Sequence, residues 1–252
     1  MIKRLFLIWI IMLTCLSYPG FSSASTPIEI TVQPDQVFIG ATYNGIDISV
    51  SGQVPAETEA VIRVTGHEED SSLKKKGRVM GLLWMNLGSV EFHNIPGAFL
   101  LYKSKQTDVR KIREIGIEAV RKKTDIISEY EDKDALFEEF VKMKQKSGLY
   151  ETVENGIRYE KENNGMKPFT ATVRLPSALP KGDYKLEVFA LSGEDIAGYS
   201  KKELQVKQTG MPAFIAALAF DHGTLYGILA VIVALIAGLL TGTIFKGEKG
   251  AH

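Results

Sequence analysis

The stretch LPKGDYKLEVFAL, Leu179 to Leu191, decides how the chain is read. A turn at Pro180-Lys181-Gly182-Asp183 launches Tyr184, Leu186, Val188 and Ala190, which alternate with polar residues as a half-buried strand does. Working back, Phe169 to Leu175 alternates in the same way, and Tyr150 to Glu154 and Ile157 to Glu160 flank Asn155-Gly156, a strong hairpin signal. Ile28, Ile30 and Val32, then Val37 to Gly40, then Ile46, Ile48 and Val50, then Val61, Ile62 and Val64 repeat the strand signal nearer the N-terminus. Leu204 and Val206 close it. Short strands at this spacing, separated by Gly, Pro and Asn, predict a β-sandwich.

The opening stretch resembles the penultimate strand of immunoglobulin-like and fibronectin-like modules, with Tyr184 at the place of a tyrosine corner. Between the halves of the β pattern the period changes. Thr107 or Asp108 can cap a helix in which Val109, Ile112, Ile115 and Ala119 recur, and a charged turn at Glu129 to Asp132 leads to a second helix. Leu136, Phe137, Phe140 and Val141 form its apolar face and Gly148 its C′ position, so an inserted αα-hairpin is expected. His67 to Gly77 reads as a loop, and Val79 to Asn86 and Ser89 to Lys103 as strands, the second broken at Pro96-Gly97.

The two ends place this domain. Lys3 and Arg4 precede the apolar Leu5 to Leu16 and then Ser22-Ser23-Ala24, the pattern of a secretory signal cleaved after Ala24. Cys15, the only cysteine, lies within it, so the mature region holds no disulfide or thiolate metal site. Near the C-terminus, Thr224 to Phe245 is an uncharged run long enough to cross a bilayer. Gly223, Gly227, Ala230, Ala234, Gly238 and Gly242 follow one another at steps of three and four, so one face of this helix is made of small residues that let another helix approach. Lys246 and Lys249 beyond the run put the C-terminus in the cytoplasm by the positive-inside rule. The expected organisation is a signal peptide (1–24), a sandwich in two parts (25–105 and 149–210) around a helical-hairpin insert (106–148), an interfacial segment (211–222), a transmembrane helix (223–245) and a cytoplasmic tail (246–252). An exported domain with neither disulfides nor glycosylation sequons fits a bacterial inner-membrane protein facing the periplasm.

Candidate chemistry is sparse. Thirty Lys and Arg balance thirty Asp and Glu, so no net field points to nucleic acid. No nucleophile elbow, P-loop or dinucleotide fingerprint occurs, no cofactor is expected, and the chain reads as something other than an enzyme. His67, Glu68 and Asp70, with His93 further on, are the candidate ligands if the exported region binds metal or catalyses. Position 71 is Ser, which breaks the zincin spacing, and Lys74 to Lys76 make the segment a mixed-charge surface loop in the plainer account. A third possibility is solute sensing at a pocket beside Trp84, which is otherwise a core tryptophan.

Phe38-Ile39-Gly40-Ala41, Val61 to Gly66, Trp84-Met85-Asn86 and Val90 to Pro96 together resemble the Alph_Pro_TM family of bacterial transmembrane proteins. The likeness runs through nearly the whole chain. It brings no catalytic residues, and it implies an accessory protein for an anion permease of the sulfite-exporter type. The partner is then a membrane protein or a second copy, engaged in part through the small-residue face.

Overall fold

The computed structural model describes residues 26–79, 82–105, 107, 113–129 and 132–246. The expected signal peptide and most of the tail lie outside these residues. Strands β1 (Thr26–Pro27), β2 (Ile30–Gln33), β3 (Gln36–Ile39), β4 (Ile46–Pro55) and β5 (Glu59–Thr65) come first. A long hairpin of β6 (Glu68–Val79) and β7 (Leu83–Pro96) runs into β8 (Phe99–Lys103). Then follow α1 (Ile117–Lys123), β9 (Asp125–Ser128), α2 (Lys133–Lys146), β10 (Tyr150–Glu154) and β11 (Ile157–Tyr159). β12 (Met166–Leu175), β13 (Gly182–Ser192) and β14 (Asp195–Gln208) complete the sheets, and α3 (Gly210–Asp221) and α4 (Gly223–Lys246) end the chain.

The strands make an immunoglobulin-like sandwich. One sheet has the order β1-β14-β13-β5-β8-β10, with β3 also on β14, and the other has β11-β12-β4-β2. β1 and β3 pair in parallel with the last strand, as first strands do in such sandwiches. Alternation builds the core from both sheets. Phe169, Ala171, Val173 and Leu175 of β12 turn inward with Ile48 and Val50 of β4, towards Ile62, Val64, Leu186, Val188, Leu204 and Val206. Tyr184 is buried and its hydroxyl donates to the carbonyl of Pro180 at 2.8 Å, so the opening stretch does form a tyrosine corner.

β5 and β8 are buried on both faces, and this is where the insert matters. A sheet covered twice loses its polar alternation. The outer face carries Phe99, Tyr150 and Arg63, and a second apolar layer, Phe92 of β7 and Phe140 of α2, covers it. Phe92 stacks on Phe140 at 4.5 Å, and Tyr150 meets Phe140 edge-on at 6.2 Å and Phe99 at 6.0 Å. Tyr150 also donates to the Pro96 carbonyl at 2.7 Å, within this layer. Each buried aromatic contributes roughly 1.5–3 kcal/mol, enough to hold the insert on the sheet.

Several expectations change, among them the single strand over Val79 to Asn86, since β6 ends at Val79 and β7 begins at Leu83. The two helices are present, but they are not a simple hairpin: β9 lies between them and pairs with β7 in a third sheet, β6-β7-β9. Thr124, Ile126 and Ile127 are β-branched, and Ile126 is buried while Asp125 and Ile127 face out, which is a strand's alternation. α1 begins only at Ile117; the expected cap at Asp108 and the residues Val109 and Ile112 lie outside the described residues. α2 follows expectation, with Asp132 accepting from the Ala135 amide at 2.9 Å and Gly148 at φ +70. The expected loop over His67 to Gly77 is strand, because β6 pairs with β7 along its length. Asn155-Gly156 is not a hairpin turn: β10 pairs with β8 and β11 with β12, so the chain changes sheets there. A Cβ on Gly156 would stand 2.6 Å from the Tyr102 ring, which explains the glycine. The segment expected at the membrane interface, 211–222, falls almost wholly within a helix, α3.

Candidate functional site

The ion pair of Arg63 and Glu187 ties the insert to the sandwich. Register places the two side by side on the outer face of the first sheet. Arg63 Nε and Nη2 reach Glu187 Oε2 at 2.9 and 2.8 Å, and Nη1 donates to the carbonyls of Glu114 (2.9 Å) and Ile115 (3.2 Å). The guanidinium lies 5.0 Å from the Phe189 ring centroid, and Glu187 Oε1 accepts from the Tyr199 hydroxyl at 2.8 Å. Burial, and then this bond, push the Tyr199 hydroxyl up to about 12. Beside the pair lies a cavity of about 320 Å³ between β5, β13 and α1, lined also by His67, Glu68, Lys123, Asp183 and Lys185. Its charges are of both signs, and its one arginine already uses all its nitrogens. That describes a seam where the insert docks, and no anion cradle. A hydrophobic-pattern reading misses the pair because Arg63 and Glu187 occupy outward positions of strands that normally face water.

The structure divides the candidate ligand group. The ring of His67 lies against Gly182, where a Cβ would stand 2.6 Å from Nδ1. Glu68 is exposed. Asp70 pairs with His93, Oδ2 to Nδ1 at 3.1 Å, and its other oxygen accepts from the Asn94 amide at 3.3 Å. Glu91 approaches the other ring nitrogen of His93 at 3.6 Å. The Asp70 bond, aided by both carboxylates' charge, raises the His93 pKa above the ordinary histidine value. Among the described residues no three His, Asp or Glu side chains gather as metal ligands. Glu69, passed over in the sequence, holds Lys144 of α2 at 3.0 Å and so fastens the ribbon root to the insert. Trp84 lies in β7, and its side chain is outside the described residues.

α4 carries the clearest feature. Gly223 to Thr243 has a mean hydropathy of 2.4, and none of its most apolar stretch is buried among the described residues. A Cβ on Gly223, Gly227, Gly238 or Gly242 would meet nothing within 4 Å, and Ala230 and Ala234 are exposed on the same helix. The hydroxyls of Thr241 and Thr243 are satisfied within the helix by the carbonyls of Ala237 and Leu240, each at 2.8 Å. These two hydroxyls therefore need no partner outside the helix, which suits it to lipid.

An immunoglobulin-like sandwich with a helical insert, carried on one apolar C-terminal helix, defines a membrane-anchored domain. The family model described as "Putative transmembrane protein (Alph_Pro_TM)" matches residues 27–247, and the chain belongs to that family. No curated protein matches the sequence. Four chains of solved structures match it. One is domain 1 of VCBP3 from Branchiostoma floridae, at 13% identity and a TM-score of 0.25, covering 73% of this chain and 98% of that one. So low a score carries no argument, and the fold assignment rests on the strand order and on Tyr184.

Proposed function

We propose that this protein is an accessory subunit of the bacterial inner membrane, with the sandwich in the periplasm and the C-terminus in the cytoplasm. It binds a membrane protein rather than catalysing a reaction. The observation that carries the reading is the bare small-residue face of α4, where a Cβ added at any of its four glycines meets no other part of the described chain within 4 Å. Small residues let helix backbones approach and gain packing that lipid does not supply. The sandwich supports the same reading, since its most buried ion pair, Arg63 with Glu187, is committed to itself, to two carbonyls and to the Tyr199 hydroxyl. The partner is a polytopic transporter of small anions, of the kind that moves sulfite, or a second copy of the chain.

The experiment is copurification in mild detergent. A Cβ at position 238 meets none of the described residues within 4 Å, so Gly238→Ile is expected to leave the fold intact while the partner or the dimer is lost. Retention of the same partners by Gly238→Ile and by a Gly227→Ile/Gly238→Ile double variant would overturn the proposal.

A further inference from the structure

The β6–β7 hairpin is the prolongation of β5 and β8 beyond the sandwich. β5 and β8 pair Thr65 with Phe99, backbone bonds join Gly66 to Ala98 and Gly97 to His67, and β6 and β7 then pair Glu68 with Pro96 in the same register. One two-stranded ribbon therefore leaves the sheet. It leaves from a defined end. Thr65 is level with Lys185, which is level with Glu203 of β14, five residues before Gln208, where the chain passes to α3 and the membrane. β6 has 12 residues and extends roughly 40 Å at a strand's rise. α3, also of 12 residues, can separate the sheet from the span by at most roughly 18 Å. The ribbon is long enough to reach the bilayer that α4 crosses.

Its far end suits that surface. Leu82, Leu83 and Met85 are 86%, 66% and 51% exposed, an apolar tip left bare among the described residues. Behind it, residues 71–90 carry Lys74, Lys75, Lys76 and Arg78 and no acid; the ribbon's acids, Glu68, Glu69, Asp70 and Glu91, all lie towards the root. Apolar side chains ahead of a cationic stem match the acyl boundary and the anionic headgroups of a leaflet in that order. Lysines on an exposed ribbon also guard against edge pairing, but that role does not call for bare leucines at the tip.

We infer that the tip of the β6–β7 ribbon docks on the anionic lipid surface of the membrane that α4 spans, and gives the sandwich a second point of attachment. The inference rests on anchoring through α4. The test uses the full chain with Cys15→Ser and Leu82→Cys, an environment-sensitive dye on position 82, and nanodiscs of phosphatidylcholine alone or mixed with phosphatidylglycerol. Co-elution with the discs reads the anchor separately, and a chain that stays out of both discs overturns the anchor and the docking together. With the chain in both, the dye is expected to shift to the blue, to be quenched by headgroup-proximal spin-labelled lipid and to lose its accessibility to iodide, in the anionic discs only. High salt, or Lys74→Glu with Lys76→Glu, should restore the aqueous signal while co-elution persists. Equal iodide quenching in both discs, or shielding that needs another membrane protein in the disc, would show that lipid is not the occupant.

Discussion

Replacing Arg63 by Met tests whether the insert is held by the ion pair or only by the aromatic layer. The side chains of Arg63 and Glu187 are 16% and 12% exposed, so solvent screens them little. Without the guanidinium, the Glu187 carboxylate keeps the Tyr199 hydroxyl, and the carbonyls of Glu114 and Ile115 lose their donor. Breaking a buried pair from one side costs about 3–5 kcal/mol, and the remaining exposure together with the retained hydroxyl argues for about 3 kcal/mol. Removing both partners, as Arg63→Met with Glu187→Leu, leaves no uncompensated charge and should regain about 2 kcal/mol or more of that loss. The assay is urea unfolding of the full chain in mild detergent, paired with trypsin cleavage after Lys105 and Arg113. The single variant should be cut faster at both sites, because the clamp on residues 114 and 115 is gone. A loss below about 1 kcal/mol, the range of an exposed pair, with unchanged cleavage, would refute the clamp.

Tyr184→Phe removes one bond, to the Pro180 carbonyl, without changing packing, and should cost about 1 kcal/mol in the same unfolding assay. His93 should titrate above the ordinary histidine value by ring-proton NMR, and Asp70→Asn should bring it back towards that value. The sign follows from the raised folded-state pKa. The contact's contribution is full below the unfolded histidine pKa of about 6.5 and fades as pH rises through the folded value, so the ribbon root loosens towards alkaline pH.

The sandwich was legible because its strands obey a period of two with one wet face. β12 is the clearest case, and β13 carries the tyrosine that fixes its place. The insert was harder. Its helix α2 announces itself by Asp132 and Gly148, but β9 is only four residues long and is strand because β7 offers an edge, a tertiary cause that no local pattern contains. Asn155-Gly156 misleads for a related reason: β10 gains more by pairing in parallel with β8 than by folding back on β11. The candidate site fared unevenly. The small-residue face of α4 is a matter of spacing and could be read directly. The Arg63–Glu187 clamp joins residues 124 positions apart and depends on a strand register that the sequence does not state.

Between Asp195 and Lys246 only Thr209 and His222 lie outside a strand or helix. The Thr209 amide is itself bonded to the Ile39 carbonyl at 2.8 Å, and the left-handed Gly210 follows at once. The connection from sandwich to span has almost no slack, so it acts as a transmission shaft with two short joints. A force that rolls or tilts α4 must either bend those joints or turn the whole sandwich, and a mechanical signal would travel the same path in reverse.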